Sequence, residues 1–265
     1  MVIAVGDTKF VRVEVDRGVA LLTVDRPPAN ALDLQVVHEI SRAASETALQ
    51  PEVGAIVVTG HGKQFVAGAD IKVMRDIDLA GFAYFVNAIQ RALNDLEALP
   101  LPVIAAINGN AMGGGLELAL ACDLRFAGEH VRLGVPEVRL GLLPGAGGTQ
   151  RLCETIGKGR ALELLYTGRQ VSAAEAHALG LVNRVVKPDE LVAAAQALAS
   201  EMASCVPHVL TGYKKLIDEG AGMSLPDALV YERQAGIESA KAISTSAISD
   251  RREGVQSRGR EQSDS

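Results

Sequence analysis

Cysteine is scarce in this sequence. The 265 residues include three cysteines, Cys122, Cys153 and Cys205, and no C-x-x-C pair. An odd number without paired spacing argues against a disulfide framework and indicates free thiols in a reducing compartment. The sequence also lacks an apolar run of membrane length and an N-terminal signal of charged and then apolar residues. We therefore expect no membrane partner, and the cytoplasm is the expected location.

Excess positive charge and metal-ligand spacing are missing as well. The formal net charge is −6, which argues against a general affinity for nucleic acid, so any anion must bind at a local site. The five histidines form no metal-ligand pattern, and there is no Gly-x-Ser-x-Gly elbow and no Walker loop. The expectation is therefore no metal and no nucleic-acid partner.

Apolar residues are plentiful and their spacing predicts an α/β protein. An apolar fraction of 48% in 265 residues supports one large domain, alone or with an appendage. Strand-like spacing over 11–15 and 19–24 predicts an opening hairpin, followed by a helix over 34–49 and a buried strand over 55–60. Strands and helices then alternate to about residue 186.

Short local signals fix several element ends. Ser172 with Glu175 three positions later is a capping-box pattern, and Gly180 is expected to end that helix. A last strand is predicted over 181–186. The chain becomes helical from Pro188 onward, with Ser224 as the expected N-cap of a long final helix.

The most informative stretch is the triple glycine at 113–115. It follows the apolar run 102–107 and opens an apolar segment over 116–126 that has helix-forming composition. Such a turn brings unhindered backbone N–H groups to the positive end of a helix, where negative charge is stabilised. Glu117 is expected in the first turn of that helix.

Four segments together resemble the crotonase superfamily, and most closely its enoyl-CoA hydratases. They are Phe65 to Lys72, Asn108 to Gly115, Ala121 to Arg125 and Gly180 to Asn183. The resemblance runs from about Val11 to about Gly254. It implies a spiral of ββα units with a C-terminal helical region that trimerises. We accordingly divide the chain into a core over 1–195 and a helical region over 196–265.

The resemblance also assigns the catalytic groups. It implies that the thioester carbonyl of an acyl-CoA accepts hydrogen bonds from the backbone N–H groups of Ala69 and Gly114, an oxyanion hole. Glu137 would donate a proton to C2 of the substrate, Glu117 would orient and deprotonate a water, and the backbone of Gly145 would help to position it. Considered alone, Glu117 would be read as a helix cap, Glu137 as a solvated loop carboxylate and the loop of Gly145 as a tight turn.

Further positions are expected to line the CoA and acyl subsites. The CoA and substrate contacts implied by the resemblance are Arg26, Ala67, Gly68, Asp70, Ile71, Lys72, Gly113 and Pro136. Arg26 could equally be a surface arginine, and Asp70 a helix cap. Candidates for the acyl pocket are Met74, Phe82, Phe85, Met112, Leu116 and Leu142, although apolar residues at helical spacing are more often core.

The expected activity is reversible hydration of a trans-2-enoyl-CoA to a 3-hydroxyacyl-CoA, as in fatty acid β-oxidation, with no cofactor and with an acyl-CoA substrate. Alternatives are another crotonase reaction, such as isomerisation, decarboxylation or hydrolysis, or a non-catalytic or RNA-binding homologue. The resemblance implies a homotrimer or homohexamer.

The tail from about residue 250 is polar, and it lacks the aromatic and Lys-Arg pair that hydratases use to hold CoA, with Gln256, Ser257, Arg258 and Arg260 there instead.

Overall fold

The computed structural model describes residues 8–75 and 77–241. The chain divides into two compact units, with the boundary between Cys205 and Val206. Among the helices described, none combines the length and apolar character needed to cross a bilayer. The expected tail from about residue 250, with its altered CoA-binding positions, lies outside the described residues.

The described residues form ten strands. These are β1 (Val11–Asp16), β2 (Val19–Val24), β3 (Ala55–Gly60), β4 (Gln64–Val66), β5 (Val103–Ile107), β6 (Asn110–Met112), β7 (Leu124–Gly128), β8 (Arg132–Gly134), β9 (Val171–Ser172) and β10 (Arg184–Val186). The helices are α1 (Leu34–Ala48), α2 (Ile71–Arg75), α3 (Leu79–Glu97), α4 (Gly114–Leu120), α5 (Gly148–Ile156), α6 (Lys158–Thr167), α7 (Ala173–Leu179), α8 (Leu191–Ala203), α9 (Pro207–Gly220) and α10 (Leu225–Lys241).

Two sheets share these strands in a repeating way. The larger sheet has the order β1-β2-β3-β5-β7-β10, and the smaller has the order β4-β6-β8-β9. Consecutive strands from β3 to β8 alternate between the two sheets, so each turn of the chain adds one strand to each. Apart from the antiparallel pairs β1/β2 and β8/β9, neighbouring strands are parallel. The predicted α/β spiral of ββα units is confirmed.

The central strands of the larger sheet are buried on both faces, which explains their continuous apolar sequences. In β3, Ile56 and Val58 join the main core, whereas Ala55 and Val57 pack with buried residues of α8. The edge strand β1 instead alternates between buried and exposed residues. Burial on two faces therefore distinguishes the central strands from the edge strand β1.

The composition of residues 116–126 suggested a helix, and this prediction is wrong for the second half of the segment. Helix α4 ends at Leu120, and the apolar residues after it form strand β7 between β5 and β10. The carboxylate of Asp123 accepts a hydrogen bond from the amide of Val103 at 2.7 Å, and the amide of Arg125 donates to the side chain of Asn183 at 2.8 Å. A short apolar run does not distinguish a buried helix from a buried strand, and tertiary pairing decided here.

The predicted caps are confirmed where the structure describes them. The hydroxyl of Ser172 accepts a hydrogen bond from the amide of Glu175 at 3.2 Å, and α7 ends at Gly180 in a left-handed conformation. Ser224 accepts from the amide of Asp227 at 3.4 Å ahead of α10. The last strand is shorter than expected, because regular pairing begins at Arg184.

Candidate active site

A cavity of about 140 Å³ opens where the ends of β4 and β6 meet α3 and the 137–146 segment. It is lined by ten of the sequence-predicted site residues: Ala67, Gly68, Ala69, Ile71, Gly113, Gly114, Glu117, Pro136, Glu137 and Gly145. Residues that lie between 67 and 145 in sequence are therefore brought to one place. The site combines backbone from three glycine-containing turns with two carboxyl side chains.

The walls of the cavity are apolar. Five of the six candidate acyl-pocket residues line it, namely Met74, Phe82, Phe85, Met112 and Leu142. Leu116 does not, because it is fully buried in the main core. Val86 and Ile89 also line the cavity, and sequence reasoning missed them; with Phe82 and Phe85 they continue the i, i+3, i+4, i+7 spacing of one face of α3.

The amides of Ala69 and Gly114 lie close together. A Cβ atom placed on Gly114 would be 3.5 Å from the amide nitrogen of Ala69, and one placed on Gly68 would be 3.7 Å from the amide nitrogen of Gly114. Gly68 has φ +102 and would also bring a Cβ within 2.7 Å of the carbonyl oxygen of Met112, so only glycine fits there.

Within the described part of the chain, the N–H groups of Ala69 and Gly114 are not used in strand pairing or within a helix. Leu32 bonds through its own amide to Gly68 and through its carbonyl to Asp70. Because alternate residues of an extended segment point to opposite sides, the N–H of Ala69 is directed away from Leu32. Gly114 is the first residue of α4, where the N–H has no partner within the helix. Two adjacent donors of this kind can hold one oxygen anion.

Glu117 is held firmly by the backbone of a neighbouring loop. Its side chain is 3% exposed, and its Oε1 atom accepts hydrogen bonds from the amides of Ala146 at 2.9 Å and Gly148 at 2.8 Å. Burial raises the pKa of Glu117, although these two bonds and the positive charge of Arg151 act to lower it. The bonds stabilise the ionised form and fix the direction of the carboxylate.

Glu137 has a contrasting environment. It begins the 3-10 turn Glu137–Leu140, and its Oε1 atom lies against the backbone of Gly113. Its Oε2 atom is buried and has no hydrogen-bond partner among the described residues. Burial, with a further contribution from the charge of Glu117, raises the pKa of Glu137 to about 7. This carboxyl group is therefore able to carry a proton near neutral pH.

The loop that holds Glu117 is itself supported by Arg151, a residue that sequence reasoning missed. Nη1 of Arg151 donates to the carbonyl of Ala146 at 2.9 Å, and its other nitrogens bond to Glu97 and Asn94. Arg151 shares the buried face of α5 with Leu152 and Ile156. The sequence did carry a signal for this residue, because a charged side chain placed among the apolar positions of a helix face indicates a buried and partnered charge.

Three of the predicted CoA contacts lie outside the cavity lining. The guanidinium of Arg26 contacts Asp33 at 2.9 Å and Asp70 at 2.8 Å, and donates to the carbonyl of Ala31. Asp70 also accepts a hydrogen bond from the amide of Lys72 at 3.0 Å. Burial acts to raise the pKa of Asp70, but the hydrogen bonds from Arg26 and from the backbone outweigh it, so the pKa is lowered. The side chain of Lys72 is exposed.

The described residues contain no cluster of three or more His, Cys, Asp or Glu side chains that could hold a metal ion. The polar groups that line the cavity include backbone amides and the carboxyl side chains of Glu117 and Glu137. Of these, Glu117 is an oriented acceptor and Glu137 a carboxyl that can be neutral. Such a set can stabilise an oxyanion while moving protons on and off a substrate.

Comparison with known proteins shows which family this chain resembles. Residues 14–258 match the family described as enoyl-CoA hydratase/isomerase. The chain is 41% identical over 224 residues to the short-chain-enoyl-CoA hydratase of Clostridium acetobutylicum, covering 84% of this chain and 86% of the relative. It is 43% identical over 223 residues to the probable enoyl-CoA hydratase echA8 of Mycobacterium tuberculosis, with the same coverage.

A solved structure is similar over nearly the full length. The crystal structure of an enoyl-CoA hydratase from Bacillus anthracis superimposes with a TM-score of 0.87 at 38% sequence identity. The superposition covers 96% of this chain and 97% of that one.

Proposed function

The chain belongs to the enoyl-CoA hydratase/isomerase family, and we propose that it is an enzyme that adds water reversibly to a trans-2-enoyl-CoA, giving a 3-hydroxyacyl-CoA. The observation that carries the proposal is the contrast between two carboxyls on one cavity. Glu117 accepts two backbone hydrogen bonds, whereas Oε2 of Glu137 has no partner among the described residues and the pKa of Glu137 is raised to about 7. The two bonds orient Glu117 to accept a proton, and its raised pKa makes it a stronger base than a free carboxylate, while Glu137 is able to donate a proton.

The thioester oxygen gains negative charge when hydroxide equivalent adds to C3. The amides of Ala69 and Gly114 lie close together at the N-terminus of α4, and they are the donors for this oxyanion. Because they are fixed by the fold, no reorganisation is needed as the charge develops, and each such donor is worth on the order of 3 kcal/mol in other enzymes. The open backbone at Gly114 lets the carbonyl approach.

The proton transfers then follow from the two environments. Glu117 takes a proton from the water as the water oxygen bonds to C3. Glu137 gives its proton to C2 as the enolate electrons return to carbon, so that hydrogen and hydroxyl are both added and charge is balanced. After product release a proton must pass from Glu117 to Glu137, either directly or through solvent. Gly145, in the loop next to Ala146, lines the cavity and is proposed to help position the water.

The direct test is the loss of enoyl thioester absorbance with crotonyl-CoA and longer 2-enoyl-CoAs. Glu117→Gln and Glu137→Gln are each expected to lower kcat by about a hundredfold or more, since each removes a proton-transfer group. Glu129→Gln, which changes an exposed glutamate, is the matched control and is expected to retain activity. If the wild type binds these thioesters and hydrates none of them, the hydratase proposal fails and another crotonase reaction takes its place.

We extend the proposal to pathway, assembly and location. The reaction is of the fatty acid β-oxidation type, it uses no cofactor beyond the CoA of its substrate, and the enzyme is a homotrimer or homohexamer. The 206–241 part exposes large apolar side chains, among them Tyr213, Ile217, Leu225, Leu229 and Ile237, which supports self-association. Light scattering on the purified chain tests the assembly, and a monomeric mass would overturn it.

The cytoplasm is the proposed location. None of the three cysteines forms a disulfide, as is usual for proteins of a reducing compartment. Fractionation of cells that express the tagged protein tests this, and recovery from a secreted or membrane fraction would contradict it.

A further inference from the structure

Arg151 does not line the cavity. It lies behind the loop that holds Glu117 through the amides of Ala146 and Gly148. Its residue exposure is 9%, and its guanidinium donates to three different groups on two segments. Two bonds go to the carboxylate of Glu97, at 2.9 Å from Nε and 2.6 Å from Nη2. Nη2 also donates to the side chain of Asn94 at 2.8 Å. A bidentate pair with an added amide contact fixes both the place and the plane of the guanidinium.

The remaining bond reaches the loop that holds Glu117. Nη1 donates to the carbonyl of Ala146, while the amide of the same residue donates to Oε1 of Glu117. Gly147 has φ +106, and a Cβ there would overlap Nη1 of Arg151. The guanidinium is therefore packed directly against the loop and bonded to Ala146, the same residue whose amide bonds to Glu117.

From this geometry, and resting on the proposed function, we infer that Arg151 is a positioning residue that, anchored by Glu97, sets the orientation and the protonation of Glu117. Arg151 touches neither the cavity nor the reacting atoms, so it acts through the loop. The pair also connects the loop to α3, whose Phe82, Val86 and Ile89 line the acyl cavity. Orientation of the base is thus tied to the helix that forms the wall of the pocket.

The charges around this pair are few. Facing Arg151 are Glu97 on α3, Glu117 on α4 and Glu154 on its own helix. Facing Glu117 are Arg151 and, across the cavity, Glu137. The positive charge of Arg151 favours ionised Glu117, and the negative charge of Glu97 partly offsets it.

Two substitutions break the same ion pair with opposite electrostatic results. Arg151→Met removes the positive charge and leaves Glu97, so the pKa of Glu117 should rise and the acid limb of kcat/KM should move to higher pH. Glu97→Gln leaves the positive charge less compensated, so the acid limb should move to lower pH. A purely structural role for the pair would shift both variants in the same way or not at all.

Kinetic constants give the second readout. Arg151→Met is expected to lower kcat by about tenfold to a hundredfold with KM changed by less than about threefold, because the substrate contacts remain and the base is misplaced. Arg151→Lys keeps the charge and loses the bidentate geometry. This variant should keep the acid limb of the wild type, and its kcat should fall by less than that of Arg151→Met. It remains informative if the Met variant does not fold.

The matched control is Arg169→Met. Arg169 makes ion pairs with Glu163 and Glu175 outside the cavity lining, so this variant should keep the wild-type pH profile and kcat. Identical pH profiles for wild type, Arg151→Met and Glu97→Gln, or a loss in the Arg151 variants confined to KM, would overturn the inference.

A measurement without substrate separates this inference from the hydratase proposal. Isotope-edited infrared difference spectra between each protein and its Glu117→Gln derivative, all in a Glu137→Gln background that removes the second carboxyl, report the titration of Glu117. Glu117 should titrate at higher pH in Arg151→Met and at lower pH in Glu97→Gln, whatever reaction the wild type catalyses. An unmoved Glu117 titration overturns the inference, and absence of hydration in wild type overturns only the proposed function.

Discussion

The Oε1 atom of Glu137 lies against the backbone of Gly113, so closely that a Cβ on Gly113 would overlap it. Gly113 also has φ +51 and precedes the first residue of α4. The same glycine therefore permits the turn that presents the amide of Gly114 and leaves space for the second carboxylate. The proposed oxyanion hole and the proposed acid therefore meet at one position that has no side chain.

Substitution at Gly113 should disable catalysis by displacing Glu137. Gly113→Ala is expected to lower kcat by about a hundredfold, because the new methyl group occupies the place of the Glu137 carboxylate. Gly180→Ala is the matched control: Gly180 also has positive φ, at +81, but nothing lies within 4 Å of its Cβ position. Both variants should lose stability from backbone strain, and only Gly113→Ala should lose kcat. Equal activity in the two folded variants would contradict the spatial argument.

Glu137 should make the protein less stable as pH rises. Its pKa is 4.5 in an unfolded chain and about 7 in the folded protein, so between these values the folded state holds a proton that the unfolded state has released. The free energy of unfolding therefore falls with rising pH across this window. Glu137→Gln removes the penalty and should stabilise the protein by about 1 kcal/mol at about pH 8, after discounting for partial exposure.

Thermal unfolding as a function of pH measures this effect. The difference between Glu137→Gln and wild type should disappear at about pH 4, where the carboxyl is protonated in both states. A variant that is less stable than wild type at about pH 8 would show that the charged carboxylate has a favourable partner in the folded protein.

Arg26 is expected to act through Asp33 and Asp70 more than through the CoA phosphates. Its guanidinium already contacts both carboxylates, so Arg26→Met should raise KM by a similar factor for crotonyl-CoA and for crotonyl-N-acetylcysteamine, which has no phosphate. Arg12→Met, which breaks an ion pair with Asp25, serves as the control. A loss confined to the CoA thioester would instead support the phosphate contact that the family resemblance implies for Arg26.

The cap of α7 offers a test of local stability away from the site. Ser172→Ala removes the acceptor for the amide of Glu175 and should lower the free energy of unfolding by about 1 kcal/mol. Ser172→Thr keeps an acceptor and should lose much less. Hydration kinetics should be unchanged in both, and an equal loss of stability would show that the hydroxyl is not acting as a cap.

The sequence by itself determined the local features of this protein. Alternating and continuous apolar runs identified β1 and β3, Ser172 and Gly180 bounded a helix, and the triple glycine with Glu117 marked the turn that faces the cavity. Each of these rests on interactions within a few residues or on one pattern of burial. Composition alone gave the wrong structure for 124–126, because an apolar run fits a helix or a strand equally well until its neighbours are known.

Only the tertiary structure decided how the charged groups of the site are partnered. The bonds that hold Glu117 come from 29 and 31 residues away, and the bond between Arg151 and Glu97 spans 54 residues. The raised pKa of Glu137 likewise depends on burial and on the nearby charge of Glu117, and the contacts of Arg26 join the 26–33 segment to Asp70. Electrostatic environment is a property of packing, so the sequence supplied the groups while the fold determined which of them meet.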